Sequence, residues 1–237
     1  MRRFFSVFVS AVLCAGLLCG CGGGKSGGGS TIKRKDYTSA ERQFAAPATG
    51  DTVAVFETSA GQFRAVLYPD LAPQACENFI ALTESGFYND TAFYRVEEGF
   101  CVAGGLDANG ASTTKWGGSG YPAETTDALH HYSGALCAAM NEHALGGSVF
   151  YVMQTLPQPP ADELIAAMTE AGWRQEVIDA YKAVGGAPYL DYTDTVFGHV
   201  YEGMDKVDDI AAAAKAEDGA PLEPVVIHSV TIETYGG

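Results

Sequence analysis

The chain has 237 residues, with 14 basic and 29 acidic side chains and a net charge of −15. That balance argues against nucleic-acid binding, which needs a basic footprint. The six cysteines and five histidines show no zinc-type or other ligand spacing, so no metal site is expected.

Arg2 and Arg3 precede a short apolar run over residues 4–18, followed by Leu18-Cys19-Gly20-Cys21. A run this short reads as a secretory signal rather than a membrane-spanning helix. The large aliphatic residue, small residues and cysteine fit a bacterial lipobox, with residues 1–20 as signal peptide and Cys21 as the lipid acceptor. A plain signal peptide or stop-transfer anchor is the competing reading. Two acyl chains give durable attachment at about 0.8 kcal/mol per buried CH₂, so the expected location is extracytoplasmic, lipid-anchored to a bacterial membrane. Residues 21–50 read as lipidated cysteine and flexible tether, with residues 22–30 glycine-rich. Lys33, Arg34, Lys35 and Arg42 read as a solvated linker, or alternatively as a contact with anionic lipid or wall polymer.

From residue 51 the chain is long enough for one domain with a sizeable core. Residues 52–57 and 61–68 alternate apolar and polar around a Thr58-Ser59-Ala60-Gly61 turn, predicting a β-hairpin. A helix opens at Asp70 or Pro73, carries Ala75, Phe79, Ile80 and Leu82 at helical spacing, and stops at Ser85-Gly86. A strand is expected over 92–96. Residues 107–127 are rich in Gly, Ser and Thr and read as loop. Buried strands are expected over 134–141 and 146–152. In residues 156–188, Pro159-Pro160 precede Asp162 and Glu163, and apolar spacing runs from Leu164 to Tyr181. Two short helices broken at Ala171-Gly172 and ended by Gly185-Gly186 are predicted. This hairpin either packs its apolar stripe on the domain or forms a wall of a substrate groove. A strand at 195–201, a helix at 204–214 and a closing strand at 225–233 complete the chain.

Several stretches resemble one family in the right order. Phe93-Tyr94-Arg95-Val96-Glu97-Glu98-Gly99-Phe100-Cys101-Val102-Ala103-Gly104-Gly105 is similar to the active-site segment of the cyclophilin-type peptidyl-prolyl isomerases. Ala72-Pro73 with Asn78-Phe79, Gly147-Ser148-Val149-Phe150-Tyr151, and Thr195-Val196-Phe197-Gly198 with Gly203-Met204-Asp205 match further motifs of that family. The resemblance covers residues 52–235 and implies a mainly β fold: a closed eight-stranded antiparallel barrel capped by two helices. Residues 156–188 would be an inserted helical hairpin. It also implies a monomer that binds proline-containing peptides or unfolded exported proteins.

The chemistry so implied needs no cofactor. The amide barrier is about 18–20 kcal/mol, and the site must favour the twisted amide over the planar one. By resemblance, Arg95 donates to the amide nitrogen. Phe100, Cys101, Tyr151 and Leu190 form the proline pocket, with Tyr189 at its edge and Ala103, Ala139, Met140, Val149 and Asp194 completing the substrate site. The competing reading of Arg95 is a surface ion pair with Glu97 or Glu98. Three polar helpers of the family are replaced, by Ala103, Val149 and Asp194. Losing one hydrogen bond to a charged group costs roughly 1.5–3 kcal/mol, so weakened or altered activity is expected. The alternative function is a peptide-binding, chaperone-like module whose catalysis has decayed. Cys76, Cys101 and Cys137 read as small buried residues, with a Cys101–Cys137 disulfide as the alternative. His131 is read as structural. A Ser-His-Asp hydrolase would want a Gly-x-Ser-x-Gly elbow, which Lys115-Trp116-Gly117-Gly118-Ser119-Gly120 does not supply.

Overall fold

The computed structural model describes residues 32–118 and 120–236. The signal segment, Cys21 and the glycine-rich run lie outside the described residues. Strands β1 (Thr52–Thr58) and β2 (Gly61–Leu67) form the expected hairpin, followed by α1 (Pro73–Glu84). Then come β3 (Thr91–Ala92), β4 (Arg95–Glu97), β5 (Cys101–Gly104), β6 (Tyr121–Pro122), β7 (Ala135–Met140) and β8 (Leu145–Met153). Helices α2 (Asp162–Glu170) and α3 (Gln175–Val184) precede β9 (Thr195–Glu202), α4 (Met204–Ala211) and β10 (Val226–Thr234).

The sheet is not the eight-stranded one expected but is divided into ten strands. All ten strands belong to one antiparallel sheet ordered β3-β10-β1-β2-β9-β7-β8-β5-β4, with β6 beside β8. The nine-strand path is a curled, open half-barrel whose end strands do not pair with each other. The two ends of the path, β3 and β4, fall within the expected 92–96 strand and are joined in the chain through Phe93-Tyr94. Phe93 N–H donates to Val225 O and Tyr94 N–H to Ala103 O, both at 3.0 Å. Consecutive strand N–H groups point to opposite sides, so this segment pairs with β10 over its first half and with β5 over its second.

Ala54 and Phe56 of β1 and Phe63, Ala65 and Leu67 of β2 enter the main core, while Val53 and Val55 are buried on the other face of β1. Phe56 and Phe63 stack at 4.4 Å in the core, with Phe79 of α1 and Phe150 of β8 edge to face at 5.9 Å. Val207, Ile210 and Ala211 of α4 enter the same core. Pro73 opens α1 where its missing N–H costs nothing. Glu124, about fifty residues away, caps the next two amides: Gln74 N–H at 3.0 Å and Ala75 N–H at 2.9 Å. Cys76, Cys101 and Cys137 are buried free thiols. Cys101 and Cys137 are kept apart because β8 runs between their strands.

The described part of the expected tether does not behave as a linker. Residues 32–51 lie across the domain as a strap. The Arg34 guanidinium donates twice to Asp208, at 3.0 and 2.5 Å, and also to Ser133 Oγ and Thr155 O. Gln43 is buried and bonds both backbone groups of His130. Phe44 packs on Tyr132 at 5.0 Å. The strap has no apolar period because buried polar pairs, rather than an apolar face, dock it. The two helices over 162–184 form as predicted, and their apolar stripe packs against Tyr132 and the strap residues Tyr37 and Phe44. Among the described residues no helix is long and apolar enough to cross a membrane.

Candidate active site

The sheet face opposite the main core carries a second apolar cluster. It includes Cys101 and Ala103 from β5, Tyr151 from β8 and Ala139 from β7, with Phe100 and Leu190 packed on it half-buried. Period-two strand geometry puts these residues on one face. Register makes Ala103 the direct neighbour of both Arg95 and Tyr151. Leu190 arrives on a short helical turn, Pro188–Leu190, immediately after the α2–α3 pair.

Arg95 stands at the mouth of this cluster. Its guanidinium carbon lies 5.9 Å from the centre of the Phe100 ring, and Nη2 donates to Glu97 Oε2 at 2.5 Å. Arg95 and Glu97 share a strand face at i and i+2. Arg95 thus makes the ion pair with Glu97 and also lies beside the Phe100 ring. The hydrogen bond from Arg95 to the Glu97 carboxylate raises the arginine pKa further, so its charge is fixed. The neighbouring strand offers only the methyl of Ala103 beneath it.

The cluster floor is polar at one point. Tyr151 Oη donates to Asp194 Oδ2 at 2.8 Å. Burial, with Cys137 and Asp194 nearby, pushes the Tyr151 phenol far above its ordinary value, so it stays a donor. Burial likewise pushes the Cys101 thiol up to about 11, making it an inert wall. Met140 and Val149, with Ala139, line an adjoining cavity of about 290 Å³ under Ser112 and Thr113. Ala139 belongs to both pockets and joins them. Tyr189 is 62 % exposed and stands at the rim, outside the packed cluster.

One supporting group was not legible in the sequence. The buried Asp191 carboxylate follows Leu190 directly. It accepts from His130 Nδ1 (2.7 Å), His131 Nδ1 (2.7 Å), His131 N–H (2.8 Å) and Tyr181 Oη (2.8 Å). Burial opposes ionisation here, but the two imidazole donors outweigh it and hold the carboxyl below its ordinary value. The adjacent His130-His131 pair was the only hint of such a hub. Through it the loop carrying Leu190 and Asp194 is tied to α3. Among the described residues no cluster of His, Cys, Asp or Glu could hold a metal ion.

A curled antiparallel half-barrel with an arginine over an apolar pocket on its outer face defines the prolyl-isomerase class. Residues 53–232 match the family model for cyclophilin-type peptidyl-prolyl cis-trans isomerases, and the chain belongs to that family. A Staphylococcus aureus (strain COL) protein named "Putative peptidyl-prolyl cis-trans isomerase" is 32% identical over 185 residues, covering 78% of this chain and 93% of that one. A Staphylococcus epidermidis protein of the same name is 33% identical over 180 residues, covering 76% and 90%. A Cryptosporidium parvum cyclophilin-type isomerase superposes with a TM-score of 0.61 at 19% identity, covering 77% of this chain and 98% of that one. A second structure of that protein, obtained in the presence of the dipeptide Ala-Pro, gives 0.60.

Proposed function

We propose that the chain isomerises X-Pro bonds in exported polypeptides, with Arg95 as the catalytic group and altered efficiency relative to its family. The observation that carries this reading is the Arg95 guanidinium held 5.9 Å from the Phe100 ring, at the edge of the Cys101, Tyr151 and Leu190 cluster. The proline ring occupies the apolar cluster. As the amide twists, its nitrogen gains a usable lone pair, and a permanently charged donor stabilises that state more than the planar one. Glu97 takes over the steadying of Arg95 that Ala103 cannot supply. Because Glu97 also competes for the guanidinium, turnover is slower than with a neutral orienting side chain. Uncatalysed X-Pro bonds take roughly tens to hundreds of seconds, which leaves room for a modest catalyst. Leu18 to Cys21 supports a lipid-anchored extracytoplasmic working form.

The test is the isomerisation rate of an Ala-Pro peptide with the full chain and with Arg95→Ala, followed by NMR exchange. Loss of one placed donor lowers kcat/KM by about a hundredfold. Unchanged turnover in the variant would remove Arg95 from the reaction. A second reading, a binding module without turnover, is favoured by the apolar Ala103 and Val149. It predicts peptide binding with no rate enhancement in either protein.

A further inference from the structure

A second cavity, of about 360 Å³, opens beside the proline pocket between the α2–α3 turn and the loop that follows Leu190. Trp173 and Tyr192 form its aromatic walls, with ring centres 6.0 Å apart and planes at 78°. Tyr192 has φ +68°, a left-handed backbone that a non-glycine residue holds only at a cost of about 1–3 kcal/mol. Its ring is 53 % exposed, so core burial does not repay that strain. Residues held this way cluster at ligand clamps.

Asp127, His130 and Arg174 supply the polar part of the lining. Tyr192 Oη donates to Asp127 Oδ1 at 2.8 Å, and no other hydrogen bond reaches the Asp127 side chain among the described residues. His130 also lines the cavity and is buried. Its Nδ1 is bonded to Asp191, while Nε2 has no hydrogen-bond partner and faces the Glu41 carboxylate at 3.9 Å. Arg174 is the cavity's one cation among the described residues; two of its N–H groups bond Glu41 and one bonds Asp127 O, which turns part of its charge toward Glu41. The Asp127 carboxylate and two aromatic rings suit a cation, which is drawn to aromatic faces. In a chain of net charge −15, an anion is disfavoured there.

We propose that this cavity is an accessory subsite for a lysine or arginine side chain of the polypeptide whose proline sits against Leu190. The proposal rests on the proline-pocket reading above. Leu190 and Tyr192 are two residues apart, so their Cα atoms are separated by at most about 7 Å. Thr193 N–H closes the turn between them onto Leu190 O at 3.1 Å. A side chain within about three residues of the bound proline therefore reaches the cavity.

The experiment compares Ala-Pro peptides carrying Lys or Glu at each of three positions on either side of the proline, using the full chain. The readouts are kcat/KM by NMR exchange and the Trp173 indole N–H resonance during titration. In one register Lys exceeds Glu by about threefold or more, the scale of one exposed cation–π contact. The Lys-to-Glu ratio then falls toward one in Trp173→Leu and in Tyr192→Gly, whatever their absolute rates. A ratio near one in every register overturns the proposal. So does a Lys preference that survives both substitutions, which would assign it to the acidic rim instead. If no peptide is turned over yet Lys peptides alone shift the Trp173 resonance, the subsite stands and the isomerase reading falls.

Discussion

Acid should weaken this fold through one imidazole. His199 of β9 is buried, and burial alone lowers its pKa from 6.5 to about 4. Its Nδ1 is 3.3 Å from Gln43 Nε2 of the strap, which requires the neutral ring to accept there. The folded pKa is depressed, so the contribution to stability is complete above pH 6.5 and is lost as pH falls toward 4. The full displacement corresponds to roughly 3 kcal/mol, of which about 2 kcal/mol is gone by pH 4.5. Carboxylates titrate over the same range, so the comparison is between the native chain and His199→Phe at pH 7 and pH 4.5. Urea unfolding followed by fluorescence gives both stabilities. The gap between the proteins should move by about 2 kcal/mol in the variant's favour on acidification, or about 1 M in urea midpoint at a typical slope. A gap that stays constant within about 0.5 kcal/mol would refute the argument that His199 is buried neutral.

Three other substitutions probe features that support the site. Arg34→Ala leaves the Asp208 carboxylate, with a side chain only 1% exposed, without its charge partner. It should cost about 3–5 kcal/mol in urea unfolding, and the cost should shrink when combined with Asp208→Asn. Asp191→Asn exchanges one of two acceptor oxygens for a donor facing two donors. It should lower stability by about 2–4 kcal/mol and raise KM for proline peptides through Leu190, with both effects read on the same sample. Gly105→Ala would place a methyl 2.2 Å from Ser148 O at a φ of +95°. Little folded protein should be recovered, as judged by circular dichroism, whereas Gly110→Ala, with open space around it, should fold.

The elements with strong periodicity were legible. Alternation gave β1 and β2, and helical spacing gave α1, α3 and α4 to within a few residues. The short strands β5 and β6 were not, because two to four residues beside glycine or proline carry no period. The strap was hidden for a different reason. Lys33 to Lys35 looks like a solvated run, and only partners 99, 121 and 174 residues away make Arg34 part of the interior. In the site, Phe100, Cys101, Tyr151 and Leu190 were singled out only through the family resemblance, because apolar residues of these types read by themselves as core. Asp191 could not be read at all. Its meaning depends on four donors brought from one loop and a helix, and no local pattern encodes that convergence.

The strap also constrains the order in which the molecule can be completed. Arg34 is among the first described residues to be synthesised, yet Asp208 lies 174 residues later. The first strand likewise waits for the last, since β1 pairs with β10. Neither join can be made while the chain is still being delivered from its amino end. The N-terminal half must remain open until nearly all of the polypeptide is present, and closure is then a single late event linking the two ends. Such long-range pairing is intrinsically slow, so a newly delivered copy passes through an interval in which its own edges are unprotected.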